Sequence, residues 1–193
     1  MSSTSRGYKR HLTDYYVTPI NEIVHFLREF KKFEPQIFNS ETLFLDPTAG
    51  GDEANGMSYP IALQQLGIRD EQIRTIDIRE DSRAEIVDDY LKHNVEQKPD
   101  VIITNPPFSD AREIIEKALD DVKDGGFVIM LLRLNFYGSK RRKDMWDKQL
   151  PKYSFVHNKR MSFTSDGRTD SIEYQHCVWQ KGYYPKFAHL RVI

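Results

Sequence analysis

Asn105-Pro106-Pro107-Phe108 follows directly on an apolar run, Val101-Ile102-Ile103-Thr104. The run reads as a buried strand. A strand ending this way sets polar acceptors at a sheet rim, beside a ring that can stack on a flat molecule. Pro106 and Pro107 remove two backbone N–H donors and fix φ at both positions, so the turn offers carbonyls in a stiff shape. The side-chain oxygen of Asn105 and the carbonyl of Pro106 can accept the two hydrogens of an exocyclic amine, while Phe108 holds its ring by the face. The lone pair of such an amine is delocalised into the ring, which makes it a poor nucleophile. Capturing both hydrogens favours a more pyramidal nitrogen, the form able to attack a methyl donor. A rigid turn after a strand is the plain structural alternative. At average residue usage, chance would supply an Asn-Pro-Pro-aromatic run in well under about 1% of chains this long.

Three further segments carry groups suited to a ligand. Asp46-Pro47-Thr48-Ala49-Gly50-Gly51-Asp52 follows a short strand over Leu43–Asp46. Its small residues let backbone amides come close to a carboxylate or phosphate. Asp77, in Thr75-Ile76-Asp77-Ile78, ends a second strand, where a carboxylate can take both hydroxyls of a ribose. Asp88-Asp89-Tyr90-Leu91 offers a third carboxylate, with Asp88 and Asp89 equally eligible. Taken singly, Tyr15 and Tyr16 read as packing residues, and an ordinary strand-to-helix turn explains Asp46–Gly51 nearly as well.

These segments need a scaffold that brings strand ends together. Thr18 can cap a helix with Pro19 in its first turn, and Ile20, Ile23, Val24, Leu27 and Phe30 fall on one face of it. Ser58-Tyr59-Pro60 opens a second helix that Gly67 stops. Strands are expected over 73–78 and 101–104, with 85–91 ambiguous. A helix capped by Ser109 runs to about Asp121. Gly125-Gly126 turns the chain into another buried run, Phe127–Leu132. A basic helix is expected over 139–150, then late strands over 153–156 and 172–179. Strands alternating with helices imply an α/β domain. It is a doubly wound, mostly parallel sheet of seven strands with an antiparallel edge hairpin, in a Rossmann-like arrangement. Residues 1–13 read as a flexible tail and 14–193 as a single domain. No segment reads as a separate target-recognition domain.

The 193 residues suffice for one core, and no apolar stretch approaches membrane length. The N-terminus lacks an apolar signal core, so residence in the cytoplasm is expected. Cys177 is the single cysteine, which excludes a disulfide framework or thiolate cluster; it reads as a buried thiol. The six histidines lack the close pairing of a zinc site, and no metal is expected. His25 and His157 read as structural or surface residues. The net charge of −1 hides segregation: residues 1–40 carry +2, 41–124 carry −11, and 125–193 carry +8. A basic final third suits a polyanion, although the charges can equally mix in space.

Together these motifs make the chain similar to class I S-adenosylmethionine-dependent methyltransferases of the amino-methylating type. More narrowly, it resembles the small DNA adenine-N6 methyltransferases of phages and prophages. The resemblance runs over roughly residues 14–182. It implies S-adenosylmethionine as cofactor, with S-adenosylhomocysteine as product. Tyr15, Tyr16, Thr18 and Pro19 match the N-terminal cofactor motif. Asp46, Pro47, Ala49, Gly50 and Gly51 match the glycine motif. Asp77 with Ile78 would serve the ribose, Asp89 with Tyr90 the adenine end, and Asn105 would border the cofactor as well as the substrate. Asn105, Pro106, Pro107 and Phe108 match the catalytic motif. The glycine motif departs from the family by reading Gly-Gly-Asp, with several loop residues before the next helix.

The resemblance also implies DNA, double- or single-stranded, as partner, with no membrane. Lys140, Arg141, Arg142 and Lys143, near Tyr137 and Trp146, are the expected phosphate contacts, joined by Arg160, Phe163 and Arg168. A solvated helix face is the plain alternative for the basic run. Adenine in structured RNA, cytosine N4 in DNA, a glutamine side chain of a release factor, and a silent nucleic-acid-binding subunit are the competing readings. The sequence leaves monomer and homodimer equally open.

Overall fold

In the computed structural model, residues 17–163, 169 and 171–193 are described. Eight strands form one sheet: β1 (Phe44–Asp46), β2 (Ile73–Asp77), β3 (Ile86–Val87), β4 (Val101–Thr104), β5 (Phe127–Arg133), β6 (Tyr153–Val156), β7 (Tyr174–Gln180) and β8 (His189–Val192). Their order is β3-β2-β1-β4-β5-β7-β6-β8. β7 pairs antiparallel with β5 and β6, whereas every other pairing is parallel. The order reverses between β1 and β4, which places a crevice beyond their carboxyl ends.

Alternation along the strands divides the core into two layers. Phe44, Val101, Ile103, Phe127 and Ile129 face one side, with α1 (Ile20–Lys31) and α2 (Ser58–Gln64). Leu45, Ile102, Val128, Met130 and Leu132 face the other, with α3 (Ala111–Asp121) and α4 (Lys143–Lys148). Both faces are covered, which is why these strands read as unbroken apolar runs. Phe26 and Phe30 of α1 are fully buried, Phe26 stacking on His176 at 4.0 Å and meeting Phe155 edge-on at 5.3 Å. Each buried ring contributes about 1.5–3 kcal/mol by area.

Several local expectations are revised. Pro19, not Thr18, occupies the cap position of α1, and its carbonyl accepts from Glu22 and Ile23. The Thr18 hydroxyl instead accepts from Asn105 of the Asn-Pro-Pro-Phe turn. The helix expected from Ser109 begins at Ala111, and no side chain caps it. In place of the basic helix expected over 139–150 there is a 3-10 turn over Lys140–Arg142 and then the short α4, preceded by a further 3-10 turn over Leu134–Gly138. The break is held by Arg142, whose Nε donates to the Phe136 carbonyl at 2.7 Å. The ambiguous segment 85–91 supplies the two-residue strand β3. An eighth strand, β8, extends the sheet beyond β6. All four of its residues are exposed; they alternate polar and apolar, but over only four residues, and the segment was not among the strands expected.

Candidate active site

Because β1, β2 and β4 run parallel, the segments that follow them converge on one rim. Pro47, Ala49, Gly50 and Gly51 after β1, Ile78 and Arg79 after β2, and Asn105 and Pro107 after β4 line a single cleft. Thr18 closes one side; Asp77, Asp89 and Tyr90 lie along it. Sequence segments 18 to 107 thus share one cavity, as their spacing implied. Asp89 lines the cleft and Asp88 does not, since the Asp88 carboxylate is turned to His93 at 2.8 Å. Tyr15 and Tyr16 lie outside the described residues. Pro19 is not among the lining residues, and Pro106 is buried.

The glycine turn is bolted to the end of β2. Gly50 and Gly51 have φ of 66° and 75°, a conformation that disfavours other residues. The Gly50 N–H donates to Asp77 Oδ2 at 2.7 Å, Ala49 N–H to the Ile76 carbonyl at 2.9 Å, and Arg79 to the Gly51 carbonyl at 2.7 Å. A Cβ at Gly51 would lie 2.9 Å from Met57 Cγ. Asp52 stands where the family pattern has glycine and closes an Asx turn by accepting from the Ala54 and Asn55 amides at 2.8 and 2.7 Å. The loop before α2 is therefore ordered by Asp52 rather than by a second glycine. Asp77 is buried, and its carboxylate also accepts from the Arg79 amide at 2.9 Å. It therefore shapes the turn as well as facing the cleft.

Asp46 lies beneath the cleft, fully buried, and burial pushes its carboxyl up to about 7. Above it, Thr48 Oγ1 meets Thr104 Oγ1 at 2.6 Å and donates to the Asn105 carbonyl at 3.3 Å. These hydroxyls fix the start of the Asn-Pro-Pro-Phe turn. Nothing in the sequence distinguished them from other polar strand-end residues.

Asn105 is the focus of the site. Its Nδ2 donates to Thr18 Oγ1 at 3.0 Å. Its Oδ1 is buried without a hydrogen-bond partner among the described residues. A buried acceptor without a partner costs about 1–3 kcal/mol. Such a cost marks a position waiting for a donor. Phe108 does not line the cleft but packs with Phe163 against a small cluster of Leu131, Met161 and Tyr174. The Phe108 and Phe163 rings lie 6.1 and 4.9 Å from Tyr174. Phe163 thus meets the Asn-Pro-Pro-Phe turn through Tyr174, which was not among the candidate site residues.

The remaining basic candidates are differently engaged. Arg142 is spent on Phe136, with its guanidinium 4.0 Å above that ring. Lys143 pairs with Asp147, and Arg160 with Glu173 at 3.1 Å. Lys140 and Arg141 are exposed, and Lys140 borders an open groove with Tyr137, Ser139 and Trp146. Arg168 lies outside the described residues.

Behind the cleft runs a buried polar chain. Tyr59, a lining residue, meets His176 Nε2 at 3.1 Å, and His176 Nδ1 meets His157 Nε2 at 2.8 Å. Burial lowers His157 to about 4 and drives His176 well below its usual value, so both are neutral at pH 7. His25, by contrast, is exposed. Burial also raises the Cys177 thiol to about 12, as its strand position implied. Among the described residues no cluster of side chains is arranged to hold a metal, and no helix is long and apolar enough to cross a membrane.

Solved structures decide the fold. The chain superimposes on a protein from Pyrococcus horikoshii described as an RNA methyltransferase, with a TM-score of 0.65 at 15% identity over 93% of this chain and 92% of that one. A protein from Listeria monocytogenes described as a class I S-adenosylmethionine-dependent methyltransferase gives a TM-score of 0.62 at 14% identity. The fold is that of the class I methyltransferases. This methyltransferase-like chain covers 92% of itself on the Listeria protein but spans only 65% of that protein's length. The type IIG restriction endonuclease BpuSI superimposes with a TM-score of 0.63 at 13% identity, over 92% of this chain and 27% of that one. No family model matches the sequence, and no curated protein matches it.

Proposed function

We propose that this protein transfers a methyl group from S-adenosylmethionine to the N6 amino group of adenine in DNA. The observation that carries the reading is the buried Oδ1 of Asn105, which has no partner among the described residues, on a side chain that Thr18 holds and that lines a glycine-lined cleft. The cleft suits the cofactor: tight glycines at 50 and 51 leave room for backbone approach, and Asp77 and Asp89 present carboxylates along it. When bound, S-adenosylmethionine supplies an electrophilic methyl carbon.

The chain's own residues do the rest by positioning. Thr18 holds the Asn105 amide, and Oδ1 accepts one hydrogen of the amine while the Pro106 carbonyl accepts the other. Phe108 holds the purine by its face. The two prolines keep this corner from relaxing around the substrate, so the geometry costs no reorganisation during the reaction. The methylated nitrogen loses its extra proton readily, and no strong base is required. A stacked adenine cannot reach such a corner, so the base is flipped out of a duplex or taken from a single strand. Lys140 and Arg141, exposed beside the Tyr137 groove, are the cations best placed to follow a backbone.

The structural likenesses include both restriction–modification proteins and a protein described as an RNA methyltransferase, so the choice of DNA rests on the resemblance of the sequence motifs. The test is transfer of tritiated methyl groups to nucleic acid. Label that enters DNA and survives ribonuclease supports the reading. Label found only in RNA or protein, or no label in any of them, overturns it.

A further inference from the structure

Arg133 ends β5 at the same rim as the catalytic turn, directly opposite Tyr174 in the β5–β7 register. Its guanidinium lies 4.1 Å from the Phe108 ring centre, stacked on the aromatic residue of the Asn-Pro-Pro-Phe turn. Among the described residues no carboxylate pairs with it, and its Nε is buried without a hydrogen-bond partner. Most other cations near the rim are committed. Arg79 holds Asp81 and the Gly51 carbonyl, Arg160 holds Glu173, and Arg112 holds Asp144 in a two-pronged pair at 3.0 and 2.6 Å.

Among the described residues nothing satisfies this half-buried cation's orphaned donor, and an anion carried by the substrate would suit it. The cofactor carboxylate is a poor candidate, because Arg133 does not line the glycine-lined cleft. Adenine is neutral, and so is the amide of a glutamine side chain. A planar guanidinium with one face spent on an aromatic ring still presents its N–H edge, which matches two oxygens of a phosphate.

We infer that Arg133 is an anion-binding residue for the substrate, taking a backbone phosphate next to the target nucleotide while its plane backs Phe108. The inference rests on the polynucleotide reading above and sharpens it, since a protein substrate would leave the site unfilled. One residue would then tie backbone capture to the ring that receives the base.

The test measures binding of a short duplex and its single strand at several salt concentrations, for the intact chain, Arg133→Gln and Arg133→Lys. Lys98→Gln serves as control, because Lys98 lies before the amino end of β4, away from the rim. Arg133→Gln is expected to weaken binding roughly tenfold whatever the base sequence, and to lower the slope of log K against log salt by about one. Arg133→Lys should keep most of the slope and lose part of the affinity, and Lys98→Gln should change neither. Thermal melting and cofactor titration of each variant separate these effects from misfolding. An unchanged slope in a folded Arg133→Gln variant overturns the inference while leaving DNA methylation standing. So does a loss confined to one flanking base, which would indicate base reading. If the intact chain binds no nucleic acid, the polynucleotide reading fails first.

Discussion

Replacing Asn105 with alanine separates stability from turnover, because the residue's two amide atoms play opposite parts. Its Nδ2 is satisfied by Thr18 at 3.0 Å and contributes about 0.5–1.5 kcal/mol. Its Oδ1 is buried without a partner among the described residues and costs about 1–3 kcal/mol. Alanine removes both but leaves the buried Thr18 hydroxyl without its partner at a cost of about 1–3 kcal/mol, so these changes nearly offset and stability should shift by less than about 2 kcal/mol. Turnover should respond quite differently. Loss of one preorganised polar contact to the reacting group costs about 10²–10³ in kcat, or about 2.7–4 kcal/mol. Cofactor affinity should fall by less than roughly tenfold, because the glycine turn and Asp77 remain. Urea unfolding, calorimetric titration of S-adenosylmethionine and methyl transfer at saturating substrates give the three numbers. Near-normal turnover would refute the role given to Oδ1. So would a stability loss of several kcal/mol that by itself accounted for the missing activity.

Other consequences follow from the same rim. Gly51→Ala forces a side chain into φ of 75° and sets its Cβ 2.9 Å from Met57 Cγ; we expect about 1–3 kcal/mol lower stability and at least roughly tenfold weaker cofactor binding by calorimetry. Asp77→Asn keeps the shape but removes the charge that anchors the Gly50 and Arg79 amides, so cofactor affinity should drop roughly tenfold with the fold intact by circular dichroism. The carboxyl of Asp46 is raised from 3.8 to about 7, so the folded state keeps a proton that the unfolded state loses within that window. Stability therefore falls as pH rises from about 4 to about 7, by up to about 4 kcal/mol. Asp46→Asn should abolish this slope when urea midpoints are compared at matched pH. Matching the pH cancels the opposite contribution of His157, whose lowered value favours folding as pH rises through its own range.

The architecture was legible because its strands are buried on both faces and announce themselves as apolar runs; Val101–Thr104 and Tyr153–Val156 have the bounds expected of them. The cleft was legible because parallel strands must deliver their trailing residues to one rim, whatever the loops between them do. Legibility failed where tertiary contacts decide. β8 is exposed and its polar–apolar alternation spans only four residues, and the turns around Ser139 depend on Arg142 reaching back to Phe136. Thr18 looked like a helix cap, because a hydroxyl before Pro19 reads that way locally; its partner is 87 residues distant in sequence. The parts that Arg133 and Tyr174 play were hidden for the same reason, since each rests on the ring of Phe108.

The central claim is that Asn105 presents an amine acceptor to adenine beside a methyl donor. Single-molecule sequencing of DNA from cells expressing the protein tests it most directly, with Asn105→Ala expressed in parallel. The account predicts N6-methyladenine in the first sample and its near absence in the second. Modification on cytosine, or on adenine to the same extent in both samples, would contradict it.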